Sequence, residues 1–150
     1  MLFVLTKVRM KCWMSKTRTY SELRQIDTYG GRFQYLQLKG EVGQSTFGFE
    51  RYVNQKFYTS RDWKQVRQHV IARDLGMDLG IEGYEIYDRI IIHHMNPMQP
   101  VDIKDGDSDI LDSEFLICTT MRSHNAIHFG DEKLLARPLQ ERRPNDTLLW

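Results

Sequence analysis

The stretch IIIHHMNP, Ile90–Pro97, sets two histidines side by side, and SHNAIHFGD, Ser123–Asp131, sets two more four residues apart. Four of the chain's five histidines therefore fall within 36 residues. Residues four apart share one face of a helix, so His124 and His128 can offer two imidazole nitrogens to one metal ion. A third ligand from a neighbouring strand, His93 or His94, would complete a three-residue site with open positions for water and substrate, the pattern of a catalytic metal. The competing reading is a half-buried polar pair at a strand end and a solvated helix face. Adjacent strand residues point to opposite faces. Both His93 and His94 flank one reaction centre only if the strand frays or bulges there, and Met95-Asn96-Pro97 directly afterwards favours such irregularity.

The elements that must position these residues are legible in part. SRDWKQVRQHVIARD predicts an amphipathic helix, with Ser60 as N-cap, Asp62 in the first turn and Trp63, Val66, Val70 and Ile71 on one face. YEIYDRIIIHHM predicts one or two strands joined by a tight turn, closed by Pro97 and Pro100. EFLICTTM predicts another short strand, and RSHNAIHFGDEKLL a helix that Gly130 interrupts or ends. The order is strand, strand, acidic loop, strand, helix. In the N-terminal third, SELRQI predicts a short helix capped by Ser21. RFQYLQL suits either an alternating strand or one helical face. The opening MLFVLTKVRMKCWM is apolar only at its start, has no small-residue cleavage site and reads as an arm. ARPLQERRPNDTLLW reads as an extended tail that docks its terminal Leu-Leu-Trp.

With 150 residues, 41% hydrophobic and 11% aromatic, the chain suits a folded domain of modest size. A net charge of +1 excludes a strongly basic nucleic-acid coat. Cys12 and Cys118 belong to no CxxC pair, which argues against a disulfide framework and a cysteine zinc finger. No apolar run approaches the roughly 20 residues needed to span a bilayer. The expectation is therefore a cytoplasmic protein with no membrane partner.

Taken together, FYTSRDWKQVRQHVIARD, IIIHHMNP and EFLICTTMRSHNAIHFGD are similar in order and spacing to the HNH endonucleases, most of all the small ones encoded by bacteriophages of Gram-positive bacteria. The resemblance covers about residues 57–131. It implies an α+β protein with a ββα-metal (HNH) core, residues 51–131. An N-terminal helical and irregular extension, residues 1–50, would pack on that core, and residues 132–150 would form an extended C-terminal tail. It implies His93, His124 and His128 as ligands of one divalent ion and His94 as the general base. The reaction it implies is metal-dependent hydrolysis of DNA phosphodiesters, leaving 5′-phosphate and 3′-hydroxyl ends, in a bacterial host cell. A terminase partner and a link to genome packaging are implied in the same way. The alternative is a non-catalytic, metal-stabilised module that binds nucleic acid or protein.

Two places depart from the family. Its middle asparagine aligns with Phe115, so Asp112 or Ser113 would brace the loop by capping backbone amides. Many members carry two CxxC pairs for a structural zinc, where this chain has MDLG and TMRS. No cysteine-bound zinc is expected. Three neutral imidazoles suit zinc, nickel or manganese better than magnesium.

Hydrolysis also requires that DNA be held. Between Arg51 and Arg73 six Lys or Arg stand against one acid, with Tyr52, Phe57, Tyr58 and Trp63 interleaved. Arg61, Lys64, Arg67 and Arg73, together with Arg122 beside His124, are the candidate phosphate contacts. The same pattern also describes a solvated helix face with core aromatics. Residues 102–114 carry six acids against Lys104. DGDSDILDSE partly matches a calcium loop but lacks the glycine at its sixth position, and reads as a solvated loop that faces away from DNA.

Overall fold

The computed structural model describes residues 17–38, 51–81, 83, 85–98 and 100–135. The expected N-terminal arm and the docked Leu148-Leu149-Trp150 lie outside the described residues. The described part is a mixed α+β protein: helices surround a two-stranded antiparallel sheet. In chain order come α1 (Tyr20–Leu23), α2 (Tyr29–Leu36), α3 (Arg51–Thr59), α4 (Arg61–Arg73), β1 (Ile91–His94), α5 (Pro100–Asp105), β2 (Leu116–Thr119) and α6 (Met121–Phe129).

Several boundaries follow from caps. Ser60 accepts from Trp63 N and starts α4, as the sequence pattern requires. Thr120 accepts from Ser123 N and starts α6, and Gly130, at φ 64°, ends it in the left-handed conformation that glycine adopts without strain. At α1 the cap is Thr19 rather than Ser21, whose backbone N–H donates to Glu114 instead. RFQYLQL resolves as helix, since Thr28 caps α2 through Gly31 N. The described residues of YEIYDRIIIHHM yield only β1 and an isolated Met77–Glu85 bridge. The acidic stretch is more ordered than an open loop: α5 is followed by two 3-10 turns, Ser108–Leu111 and Ser113–Phe115.

The strands pair Ile91 with Thr119, Ile92 with Cys118, His93 with Ile117 and His94 with Leu116. Period-two alternation then sorts the side chains into two cores. Ile117 joins Leu23, Phe33, Leu36, Leu38, Ile81, Met95, Ala126 and Ile127 on the α6 side. Leu116 and Cys118 join Trp63, Val70 and Ile86 on the α4 side. Residues 17–38 are thus built into the first core, and Leu38 N donates to Ile127 O of α6. Asn96 holds the same segment from the other end: it accepts from Arg18 N at 2.7 Å and donates to Arg18 O at 2.9 Å. Cys118 is buried, and burial with Asp74 alongside pushes its thiol up to about 12. Among the described residues no helix is long and apolar enough to cross a membrane.

Candidate metal centre

The strand carrying the histidine pair is regular, contrary to the expected fray or bulge. Its ladder runs through His94 and continues with Met95 N donating to Phe115 O at 2.9 Å. The two imidazoles leave β1 on opposite faces, His93 toward α6 and His94 toward α4, yet His94 stays close enough to His124 for their charges to interact, so both border one region without the bulge.

His93 is fully buried and meets both helix histidines edge to face: centroids lie 5.3 Å from His124 and 5.0 Å from His128, with planes near perpendicular. His124 and His128, one turn apart on α6, place their Nε2 atoms 3.0 Å apart. One ligand atom from each of the three residues lies within 4.8 Å of the others. The 3.0 Å separation of the two helix nitrogens fits a shared cation at metal–nitrogen distances of about 2.0–2.1 Å. His93 Nε2 is buried without a hydrogen-bond partner, a costly condition that points to a ligand. Burial lowers all three pKa values: His93 well below its usual range, with the neighbouring His128 and His124 adding to the effect, His124 downward against a raising hydrogen bond to Asn125, and His128 to about 4. Neutral imidazoles keep the lone pairs that coordination needs. The donor set therefore fits one divalent ion of the zinc, nickel or manganese type.

Asp78 holds α6 in place, and the sequence reading had passed over it. Its Oδ2 accepts from Thr120 N at 2.9 Å and from the Ser123 hydroxyl, while Oδ1 accepts from Gly80 N at 2.9 Å. The MDLG and TMRS segments, where relatives of the resembled family would place zinc-binding cysteines, are thus tied by one buried carboxylate. Asp74 acts similarly on β2: Oδ2 accepts from Cys118 N at 2.9 Å. An aspartate two residues before glycine is a turn signal that could have flagged Asp78. Nothing local announces its long-range partners.

His94 has different surroundings. Its ring stacks on Trp63, with Phe57 at 6.4 Å, and its Nε2 lies 3.0 Å from Ile110 O. A carbonyl only accepts, so Nε2 carries the proton and Nδ1 holds the lone pair. Burial lowers the pKa to about 4, only partly offset by the Ile110 carbonyl. That carbonyl belongs to the first of two capped turns, Ser108–Leu111. Asp107 accepts from Asp109 N at 3.1 Å and Asp112 from Glu114 N at 2.9 Å. Ser113 enters through its backbone, whose carbonyl accepts from Arg73.

The expected phosphate contacts separate. Lys64 and Arg67 line a cleft of about 520 Å³ that also touches Tyr58, Trp63, Arg89 and His124. Arg61 is exposed at the start of α4, and Arg122 is half-buried on α6. Arg73 turns inward instead. It donates to Asp74, Ser113 O and Leu116 O at 2.6–2.7 Å and stacks 3.6 Å over Tyr20. Comparison of the chain with family models, with curated proteins and with solved structures finds no match.

Proposed function

We propose that the protein is a metal-dependent endonuclease of the HNH type that hydrolyses DNA phosphodiesters. One observation carries this reading: three histidines from β1 and α6 converge, while the next residue, His94, keeps a proton-free Nδ1 outside that cluster. A nuclease of this design needs that division of labour, because a base bound to metal has no lone pair left for water. His93, His124 and His128 are the residues that would hold the ion. When bound, it supplies positive charge beside the phosphate and the leaving oxygen.

His94 Nδ1 takes the proton from the attacking water. The Ile110 carbonyl fixes the tautomer, and Trp63 fixes the ring plane. Burial keeps the imidazole neutral at neutral pH, so it starts in the form that accepts a proton. Lys64 and Arg67 neutralise phosphates along the cleft wall.

The test is plasmid cleavage with added manganese, nickel or magnesium, alongside metal titration of the same preparations. Wild-type protein should nick the plasmid. His94→Ala should bind metal as tightly yet cut at least about a hundredfold more slowly, the loss expected for a missing general base. A metal-loaded wild type that fails to cut with every ion points instead to a non-catalytic, metal-stabilised binding module.

A further inference from the structure

The cleft beside His124 has features that gripping a duplex backbone does not require. Its volume of about 520 Å³ falls inside the roughly 300–1,000 Å³ that seats a small organic molecule. Lys64, Arg67 and Arg89 stand on its walls, and its described lining includes no carboxylate. Tyr58 stands there as well. Phe57 and Trp63 brace its ring, each at 5.1 Å, yet the residue keeps 43% exposure. Three cations and a braced aromatic around a nucleotide-sized hollow form the combination that binds unpaired strands: phosphates on the cations, a base on the ring. Bases inside a duplex are stacked and paired, and cannot enter such a hollow without being flipped out.

We propose that this cleft binds one unpaired nucleotide of a DNA single strand, its phosphates on Lys64, Arg67 and Arg89 and its base against Tyr58, beside the three-histidine centre. The proposal rests on the nuclease reading and narrows its substrate to DNA with a single-stranded segment at the cut.

Binding and cutting are measured separately. The full chain, with and without zinc, is titrated by fluorescence anisotropy with a labelled phosphorothioate oligothymidylate, which resists cleavage, and with its duplex. The single strand should bind at least about fivefold more tightly, the lower end of one base stack. Tyr58→Ala should lose that advantage and Tyr58→Phe should keep it. Arg89→Ala, at an exposed side chain, should weaken single-strand binding and reduce the salt slope by about 0.7. Duplex binding as tight as single-strand binding overturns the proposal. So does an unchanged single-strand affinity in both Tyr58→Ala and Arg89→Ala. Thymidine monophosphate competing at the oligomer's own affinity assigns the cleft to a free nucleotide and also overturns it. Failure of the nuclease reading is registered elsewhere, as neither plasmid nor unmodified oligothymidylate cut with any ion. Tyr58-dependent strand binding by such an inactive protein leaves the cleft assignment standing.

Discussion

Trp63 lies flat against His94, ring centroids 5.4 Å apart and planes 14° from parallel. The indole also fills the α4-side core, where it is 5% exposed. Trp63→Ala should therefore cost roughly 3–5 kcal/mol in urea unfolding, as expected for an emptied aromatic site. Trp63→Phe fills most of the volume but covers less of the imidazole. It should leave metal affinity unchanged, because His93 points to the other side of the sheet, and slow plasmid cleavage at least about tenfold. Equal cleavage by Trp63→Phe and wild type would remove the indole from any role in orienting His94.

Metal should stabilise the fold as well as serve chemistry. An ion that binds only the folded chain adds about 2.7 kcal/mol at a hundred times its Kd. For a chain of this size that raises Tm by roughly 5–10 °C. Calorimetry of chelator-treated and zinc-reloaded protein measures it. His124→Ala should abolish the increment while His94→Ala keeps it, since only the former removes a converging nitrogen.

Much of this centre was legible, for a physical reason: helical spacing is a local property. The four-residue interval put His124 and His128 on one face, and Ser60, Trp63 and Val70 predicted α4. The direction of the histidine pair was also implicit in strand alternation, although Met95-Asn96-Pro97 suggested a bulge that the ladder does not contain. What stayed hidden acts across distance or through the backbone. Asp78 reaches Thr120 and Ser123 more than 40 residues away, Arg73 reaches Leu116, and the group that orients His94 is the carbonyl of Ile110. No side-chain pattern encodes a carbonyl's position. Arg73 also looked like its surface neighbours because its charge, and not its partners, is what composition reports.

The metal-free protein should lose stability as pH falls from 6.5 toward 4. His94 and His128 titrate near 4 when folded, because burial disfavours their charged forms, against an ordinary value of 6.5 when unfolded. Above pH 6.5 both states are neutral and stability is complete. Between 6.5 and 4 the unfolded chain binds protons that the folded chain does not, so unfolding is favoured progressively. Below 4 these two rings are charged in both states and their contribution levels off. In chelator, the urea midpoint should be lower at pH 5 than at pH 7.5. An unchanged midpoint would mean that these rings are open to solvent.

Asp78 should couple the two halves of the centre. Asp78→Asn keeps the shape but replaces one acceptor with an N–H₂ group that faces another donor. Depending on which way the amide turns, the Gly80 N–H or the Thr120 N–H beside Ser123 then lacks its partner, at a cost of about 1–3 kcal/mol. Because Thr120 and Ser123 start α6, His124 and His128 shift together relative to His93, and zinc affinity should fall about 10–100-fold, as for other groups that hold ligands in place. Ser123→Ala removes the hydroxyl's bonds to Asp78 and Thr120 but leaves the Thr120 N–H on the carboxylate, and should fall between Asp78→Asn and wild type on both measures. Zinc affinity equal to wild type in a destabilised Asp78→Asn would limit the carboxylate to folding.

Lys64 and Arg73 carry the same charge nine residues apart, and substituting each should separate gripping DNA from holding the fold. Lys64 is exposed on the cleft wall, so Lys64→Ala should leave the urea midpoint unchanged, weaken DNA binding and shallow its salt dependence by about 0.7–0.9 per lost phosphate contact. Arg73 spends its guanidinium on Asp74, two backbone carbonyls and the Tyr20 ring. Arg73→Ala strands those acceptors and should cost about 2–4 kcal/mol, with the salt slope of the remaining folded protein unchanged. Arg73→Lys should recover only part of the loss, since an ammonium reproduces neither the planar fork nor the stack. If Arg73→Ala lowered the salt slope as Lys64→Ala does, the inward bonds would have to open when DNA binds.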